Sequence, residues 1–262
     1  MELKSKRMEG YFKTLSFVGT VCYYIALSIF FMFYFPLFVF TYLFITPFDR
    51  RRVTMHMVSR LFCVLIIRLC PFWSIEVCGK EKVDPSKTYI ITPNHQSMMD
   101  IPLLGAIMPL VFRYVSKREV YKIPIIGWVL WLRNDIGIER GGLQSAKKML
   151  KDAKKFVSQN ISIAIFPEGT RSKTGCLGEF KEGAFLIAKS TAVPILPVVI
   201  DGTWEVSHYF GGFLKMPTRF RVTILDPIEP ADIKQKNLKE LSDYTHDIIL
   251  NAHKKIEPEV YR

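Results

Sequence analysis

The chain has 262 residues, 49% of them hydrophobic, and its 36 Lys and Arg against 24 Asp and Glu give a formal net charge of +12. A chain of this length and hydrophobic content is neither too short nor too polar to bury one sizeable core. Its positive charge favours anionic partners, from acidic lipids to nucleic acid. The five cysteines are odd in number and lack a Cys-x-x-Cys spacing, which excludes a disulfide framework and a cysteine metal site.

An uncharged apolar stretch covers residues 14–48. As one continuous helix it would be about 52 Å long, against roughly 30 Å for the hydrocarbon core of a bilayer. Since Pro36 falls inside it, we expect a broken pair of helices rather than a single rod. A second apolar stretch, residues 58–73, is interrupted by Arg60 and Arg68, which predicts an interfacial helix rather than a span.

Basic residues flank the first stretch on both sides. They are Lys4, Lys6, Arg7 and Lys13 before it and Arg50, Arg51 and Arg52 after it. Because Lys and Arg tend to stay on the cytoplasmic side, this equal bias favours a monotopic or re-entrant anchor, with a single tilted transmembrane helix as the alternative. We therefore expect residues 1–73 to anchor the chain at the cytoplasmic face of a membrane and residues 74–262 to form the folded domain.

Beyond residue 73 the chain alternates between strand-like and helix-like runs. The strand-like runs are apolar, rich in β-branched or aromatic residues and bounded by Gly, Pro, Asn or Asp. They cover residues 74–78, 88–92, 111–116, 135–139, 161–166, 194–200 and 219–225. The pattern predicts an α/β domain in which flanking helices cover a layered mixed sheet, preceded by a membrane-associated helical hairpin.

Two of the helix-like runs have recognisable faces. Residues 143–157 place apolar side chains on one side and five lysines on the other. That basic face is typical of an ordinary solvated surface, and docking of an acidic protein or an anionic bilayer is the alternative. Residues 231–262 carry apolar side chains at helical intervals and are expected to fold back on the domain without chemistry of their own.

The run Asn94-His95-Gln96-Ser97-Met98-Met99-Asp100 places a histidine five residues before an aspartate. Neither a helix nor a strand lets side chains at this spacing meet. They meet only if His95 lies in the turn leaving a strand and Asp100 lies in the first turn of a following helix. In that geometry the carboxylate fixes the imidazole tautomer, and His95 can act as a general base on a hydroxyl.

A single pair of this kind is common by chance, and a second motif strengthens the functional interpretation. The apolar run 161–166 leads directly into Pro167-Glu168-Gly169-Thr170-Arg171-Ser172. Polar residues at the C-terminal end of a strand lie where open α/β sheets bind ligands. The alternative is a surface ion pair between Glu168 and Arg171 beside a turn glycine.

Together the two motifs resemble those of the glycerolipid acyltransferase family, and specifically of its 1-acylglycerol-3-phosphate acyltransferases. Residues 134–140 resemble the block between them, whose closing arginine contacts acceptor phosphate in that family and matches Arg140, although Asn134 and Gly137 depart from the pattern. Residues 193–198 resemble the fourth block, and the segment that begins at Lys117 resembles a lysine-bearing one. The similarity spans roughly residues 75–228.

The resemblance implies acyl transfer from acyl-CoA or acyl carrier protein to the free hydroxyl of lysophosphatidic acid, giving phosphatidic acid at the bilayer. His95 and Asp100 would be catalytic, with no metal or tightly held cofactor and no nucleic-acid partner. The expected substrate-binding residues are Glu168 for the glycerol hydroxyls, Gly169 and Thr170 for backbone contacts, and Arg140, Arg171 and Lys117 for the phosphate.

Two alternatives stay open from the sequence. One is an acyltransferase for glycerol 3-phosphate or another lysolipid, although the matching arginines favour an acceptor that carries phosphate. The other is a non-catalytic, membrane-tethered protein that binds anionic lipid through its basic surface.

Overall fold

The structure is a computed structural model that describes residues 2–139, 142–208 and 212–261. The helices are α1 (Glu2–Ile45), α2 (Val53–Arg68), α3 (Asp100–Ile107), α4 (Ile126–Arg133), α5 (Leu143–Val157), α6 (Gly183–Thr191), α7 (Thr203–Ser207), α8 (Pro230–Gln235) and α9 (Leu238–Ile256). The strands are β1 (Trp73–Cys78), β2 (Ile90–Pro93), β3 (Phe112–Lys117), β4 (Ile136–Ile138), β5 (Ser162–Ala164), β6 (Ile195–Asp201) and β7 (Thr218–Ile224).

Within these ranges seven strands form one sheet in the order β1-β7-β6-β2-β5-β3-β4. The neighbours from β6 to β4 pair in parallel, whereas β7 runs antiparallel to β6 and parallel to β1. Each predicted strand is present within a few residues of its expected bounds, so the predicted mixed sheet is confirmed. The parallel strands end at one edge of the sheet, which we call the carboxyl edge.

Helices cover both faces of the sheet. Ile90 and Ile91 are fully buried neighbours in β2, and they enter different cores because side chains alternate along a strand. Ile91 belongs to a core shared with α2 and α3, and Ile90 to a core shared with α5, α6 and α9. This arrangement gives the predicted layered α/β domain. The five lysines of α5 are exposed, as its amphipathic pattern predicted.

The predicted break at Pro36 is wrong, because α1 runs through that residue as one helix. A proline costs a helix one amide donor and crowds the preceding turn. Here the helix is packed on both sides of it, with Tyr34 and Phe38 buried in a core that also holds Met55 and Leu132. The hairpin is nevertheless present, and its turn falls between α1 and α2.

The two helices of the hairpin run antiparallel. The hydroxyl of Tyr34 donates to the carbonyl of Val58, and that of Tyr23 donates to the carbonyl of Ile66 at 3.2 Å. Within the described residues, one helix segment, Gly10–Ile45, is long and apolar enough to cross a membrane. Most of that segment is exposed, so the surface of the protein carries a broad apolar band.

A buried arginine ties the turn of the hairpin to the sheet. Arg113 in β3 is fully buried, and its guanidinium donates to the carbonyls of Arg51 at 2.7 Å and Arg52 at 3.2 Å. Burial lowers the pKa of Arg113 to about 10, so the group is still charged at neutral pH. A buried charge of this kind is stable only with its hydrogen-bond partners in place, which fixes the turn against the domain.

We therefore expect Arg113→Met to lower the free energy of unfolding by about 2–4 kcal/mol, because the turn carbonyls lose the donor that holds them against β3. Thermal unfolding in detergent measures this change. Arg118→Met is the matched control, since Arg118 pairs with Glu139 at 2.8 Å on the surface and an exposed pair contributes little. Equal effects of the two substitutions would contradict a fixing role for Arg113.

Candidate active site

The predicted meeting of His95 and Asp100 is confirmed. His95 lies in the turn after β2, Asp100 is the first residue of α3, and His95 Nδ1 lies 2.7 Å from Asp100 Oδ2. Asp100 is fully buried, and the His95 side chain is 13% exposed. Because the carboxylate accepts, Nδ1 carries the proton, and Nε2 is left with its lone pair directed away from Asp100.

Asp100 is held by donors from three directions besides the imidazole. Its Oδ2 accepts from the backbone N–H of Gln96 at 2.7 Å and of Ser97 at 2.8 Å. Its Oδ1 accepts from the hydroxyl of Thr203, a fully buried residue that follows β6. Hydrogen bonds to the charged form stabilise a buried carboxylate, so this shell keeps a negative charge beside the ring without exposing it to water.

Glu168 lies at the same turn, but its carboxylate accepts hydrogen bonds from backbone amides. Oε1 accepts from the N–H of His95 at 2.7 Å and Oε2 accepts from the N–H of Gly178 at 2.9 Å. Burial raises the pKa of the Glu168 carboxyl, and these two amide donors act against that rise. The carboxylate therefore fixes the backbone of His95. Its predicted contact with substrate hydroxyls stays a prediction.

A ring contact and a backbone hydrogen bond also join the two motifs. The His95 ring stacks on Phe166, with centroids 4.1 Å apart and the planes at 26°. The carbonyl of His95 accepts from the N–H of Ser172 at 2.7 Å. On the other side, Asn94 Oδ1 accepts from the N–H of Ile200 at 2.6 Å, which ties the turn to β6. The imidazole is thus positioned through its ring, its side-chain nitrogen and its own backbone.

The remaining predicted substrate residues are placed as follows. Gly169 has φ of 66°, and its N–H donates to the Phe166 carbonyl at 3.0 Å inside the turn, so that amide is already used. Thr170 and Arg171 are exposed just beyond the turn. Lys117 is half-buried at the end of β3, at the carboxyl edge. Arg140 lies outside the described residues.

Several residues of the site were not found from the sequence. Thr203 is 103 residues from Asp100, and a buried chain of polar groups continues behind it. Gln96 Nε2 lies 3.3 Å from His253 Nε2, which is 3.4 Å from Asp201 Oδ1, and His253 Nδ1 lies 2.6 Å from the Tyr261 hydroxyl. The C-terminal segment therefore folds back on the domain, as expected, and its His253 supports the turn that carries His95.

One further cation lies beside the second motif. The ammonium of Lys181 is 3.1 Å from the position that a Cβ on Gly169 would take. Glycine at this position thus avoids strain at a positive φ and leaves room for the lysine. An anion at the Gly169–Arg171 turn would meet this charge as well as Arg171.

The arrangement suits proton transfer. An imidazole with one nitrogen held by a carboxylate and the other free can take a proton from a hydroxyl and return it. Among residues 2–139, 142–208 and 212–261, no group of three or more His, Cys, Asp or Glu side chains is placed to hold a metal ion.

Comparisons with known proteins show what the chain is similar to. A family model described as acyltransferase matches residues 74–201, which include both motifs. A chloroplastic 1-acyl-sn-glycerol-3-phosphate acyltransferase of Brassica napus is 36% identical over 165 residues, covering 62% of this chain and 47% of that protein. One from Chlamydomonas reinhardtii is 33% identical over 223 residues, covering 83% and 65%. The chain thus spans about half the length of the first of these relatives.

A solved structure resembles almost the whole chain. The crystal structure of the 1-acyl-sn-glycerophosphate acyltransferase PlsC from Thermotoga maritima superposes with a TM-score of 0.77 at 25% sequence identity, covering 94% of this chain and 97% of that one. The fold therefore matches well beyond the residues of the family model. Residues 74–201, which contain both motifs, thus match the acyltransferase family model, and nearly the whole chain shares the fold of a solved acyltransferase.

Proposed function

We propose that the protein transfers an acyl chain from a thioester, acyl-CoA or acyl carrier protein, to the free hydroxyl of 1-acylglycerol 3-phosphate, giving phosphatidic acid. The observation that carries the proposal is the 2.7 Å contact between His95 Nδ1 and the buried Asp100 carboxylate, which leaves Nε2 able to accept a proton. The substrate is suggested by the relatives, whose names give 1-acyl-sn-glycerol-3-phosphate acyltransferase activity.

In this mechanism the acceptor hydroxyl lies against His95 Nε2. The imidazole removes the proton while the oxygen attacks the thioester carbonyl carbon, and Asp100 stabilises the imidazolium that forms. The carbon–sulfur bond then breaks, the thiolate takes the proton back from His95, and the acyl chain stays on the acceptor oxygen. Transfer is direct, with no acyl-enzyme intermediate.

The phosphate of the acceptor is bound at the turn after β5. Arg171 is exposed there, and a guanidinium suits two parallel contacts with phosphate oxygens. Lys117 at the end of β3 reaches the same edge of the sheet, and Arg140 is the third cation of the proposal. The three positive charges together favour an acceptor that carries phosphate.

We further propose that residues 1–73 seat residues 74–262 on the cytoplasmic face of the membrane without crossing it. Thr20 Oγ1 accepts from the N–H of Leu214 at 2.9 Å, and the ring of Tyr42 lies 5.6 Å from that of Trp131. These contacts hold α1 against the domain over about 33 Å of its length. A helix held in this way would carry the domain into the bilayer if it crossed, which favours a helix lying along the surface.

Replacing His95 by Ala should lower kcat by about 10²–10⁴-fold, because the general base is lost. Purified protein is given labelled acyl donors and a panel of acceptors: lysophosphatidic acid, glycerol 3-phosphate and lysolipids without phosphate. His246→Ala is the control, since His246 lies 3.4 Å from Asp247 on α9, outside the site. Lipid binding without turnover in the unaltered protein would instead favour a binding protein.

Replacing Arg171 by Ala should raise KM for lysophosphatidic acid about 10-fold through loss of a phosphate contact, with little change for monoacylglycerol. Lys173→Ala, a loss of charge two residues further on, is the matched control. Steady-state kinetics with both acceptors measures the difference. An equal loss for the acceptor without phosphate would contradict phosphate binding by Arg171.

Replacing Thr203 by Val should lower kcat about 10-fold with KM nearly unchanged, because the Asp100 carboxylate loses a donor and no longer holds the ring in place. Thr203→Ser keeps the hydroxyl and should restore most of the rate. Thr245→Val, which removes another fully buried hydroxyl from α9, controls for packing. A Ser variant as slow as the Val variant would argue against positioning by the hydroxyl.

A further inference from the structure

We propose that α4 and the loop before it form a second membrane-contacting surface, which docks beside α1 on an anionic bilayer. This inference rests on the proposed membrane role of α1 and adds a contact from within the α/β domain. We call the surface the α4 patch. It consists of Ile123, Ile125, Ile126, Trp128 and Trp131, whose exposed fractions lie between 38% and 61%.

The α4 patch is unusual for a surface in contact with water. Its residues form a run of large apolar side chains that lie close together on one loop and one helix. Scattered exposed apolar residues are normal, but a contiguous patch marks a surface that binds a partner or a membrane. Tryptophan in particular is enriched where a protein meets the headgroup region of a bilayer.

The backbone of the loop before α4 contains a strained turn centred on Ile125. Ile125 has φ of 71° and ψ of −63°, and the N–H of Ile126 donates to the Pro124 carbonyl at 2.8 Å, which is the rare γ-turn. Such a φ is costly for a β-branched residue. Gly127 closes the turn against Tyr121, since a Cβ there would lie 2.1 Å from the Tyr121 carbonyl oxygen.

The α4 patch continues the apolar band of α1. The Trp128 ring lies 5.4 Å from that of Phe35, and the two helices enclose an apolar groove of about 450 Å³ that Trp131 and Leu132 also line. Lipid tails that cover α1 therefore reach α4 without crossing a polar boundary. This continuity favours a bilayer over a separate protein partner as the occupant.

The charges around the α4 patch fit the same occupant. Lys122 is exposed at the start of the patch, and Arg50 and Arg51 are exposed at the hairpin turn. Arg52 donates to the carbonyls of Trp131 at 3.2 Å and Leu132 at 2.9 Å, so the turn and the end of α4 are joined. A rim of Lys and Arg around apolar and aromatic side chains is complementary to anionic headgroups above acyl chains.

Fluorescence quenching by brominated lipids tests the depth of the α4 patch directly. The chain has four tryptophans, so replacing three of them by Phe leaves a single reporter at Trp128, at Trp131, or at Trp73, which is buried in β1. In vesicles of phosphatidylcholine and phosphatidylglycerol with shallow brominated phosphatidylcholine, Trp128 and Trp131 should be strongly quenched and Trp73 should not. If vesicle-bound protein shows Trp128 and Trp131 as unquenched as Trp73, the proposal is wrong.

A second test separates this inference from the proposed reaction. The pair Trp128→Ser with Trp131→Ser should reduce turnover of lysophosphatidic acid in vesicles about 10-fold or more, from the loss of buried aromatic area, and leave turnover in detergent micelles unchanged. Tyr244→Ser, at an exposed aromatic on α9, is the control. Equal losses in vesicles and micelles would show that the residues support folding, and unchanged turnover in vesicles would show that they do not touch the membrane.

Discussion

The buried Asp100 carboxylate is the interaction on which the arrangement of the site depends. It holds the His95 ring with one oxygen, the two amides of the intervening turn with the same oxygen, and the hydroxyl of Thr203 with the other. A carboxylate buried this deeply is stable only when fully hydrogen-bonded. The amides of the turn therefore stabilise the buried charge, and the same hydrogen bonds fix the conformation of the turn.

The order of the strands explains why two motifs distant in sequence form one site. β2 lies between β5 and β6 and is parallel to both, so the segments that follow all three emerge at the carboxyl edge. His95, Glu168 and Thr203 come from these three segments. Each contributes something different: the imidazole, the carboxylate that accepts from the backbone N–H of His95, and the hydroxyl that donates to Asp100. The site therefore depends on the order of the strands in the sheet as well as on the two sequence motifs.

The sequence predicted the strands and the pairing of His95 with Asp100, because both follow from short-range constraints: alternation of apolar side chains and a spacing that permits one geometry. The roles of Thr203 and His253 could not be predicted from the sequence, because no local pattern marks a threonine or a histidine as the neighbour of a residue over a hundred positions away. The break expected at Pro36 failed for a related reason. Local propensity favours an interruption there, whereas packing of Tyr34 and Phe38 against other elements outweighs it.

Arg113 has a consequence for how the helical hairpin and the sheet can move relative to each other. Its guanidinium joins β3 to the carbonyls between α1 and α2, and Arg52 joins the same turn to α4. These hydrogen bonds oppose movement of the hairpin turn relative to β3 and α4. Under the proposed membrane role, the depth of His95 relative to the bilayer therefore follows from how deeply the hairpin inserts.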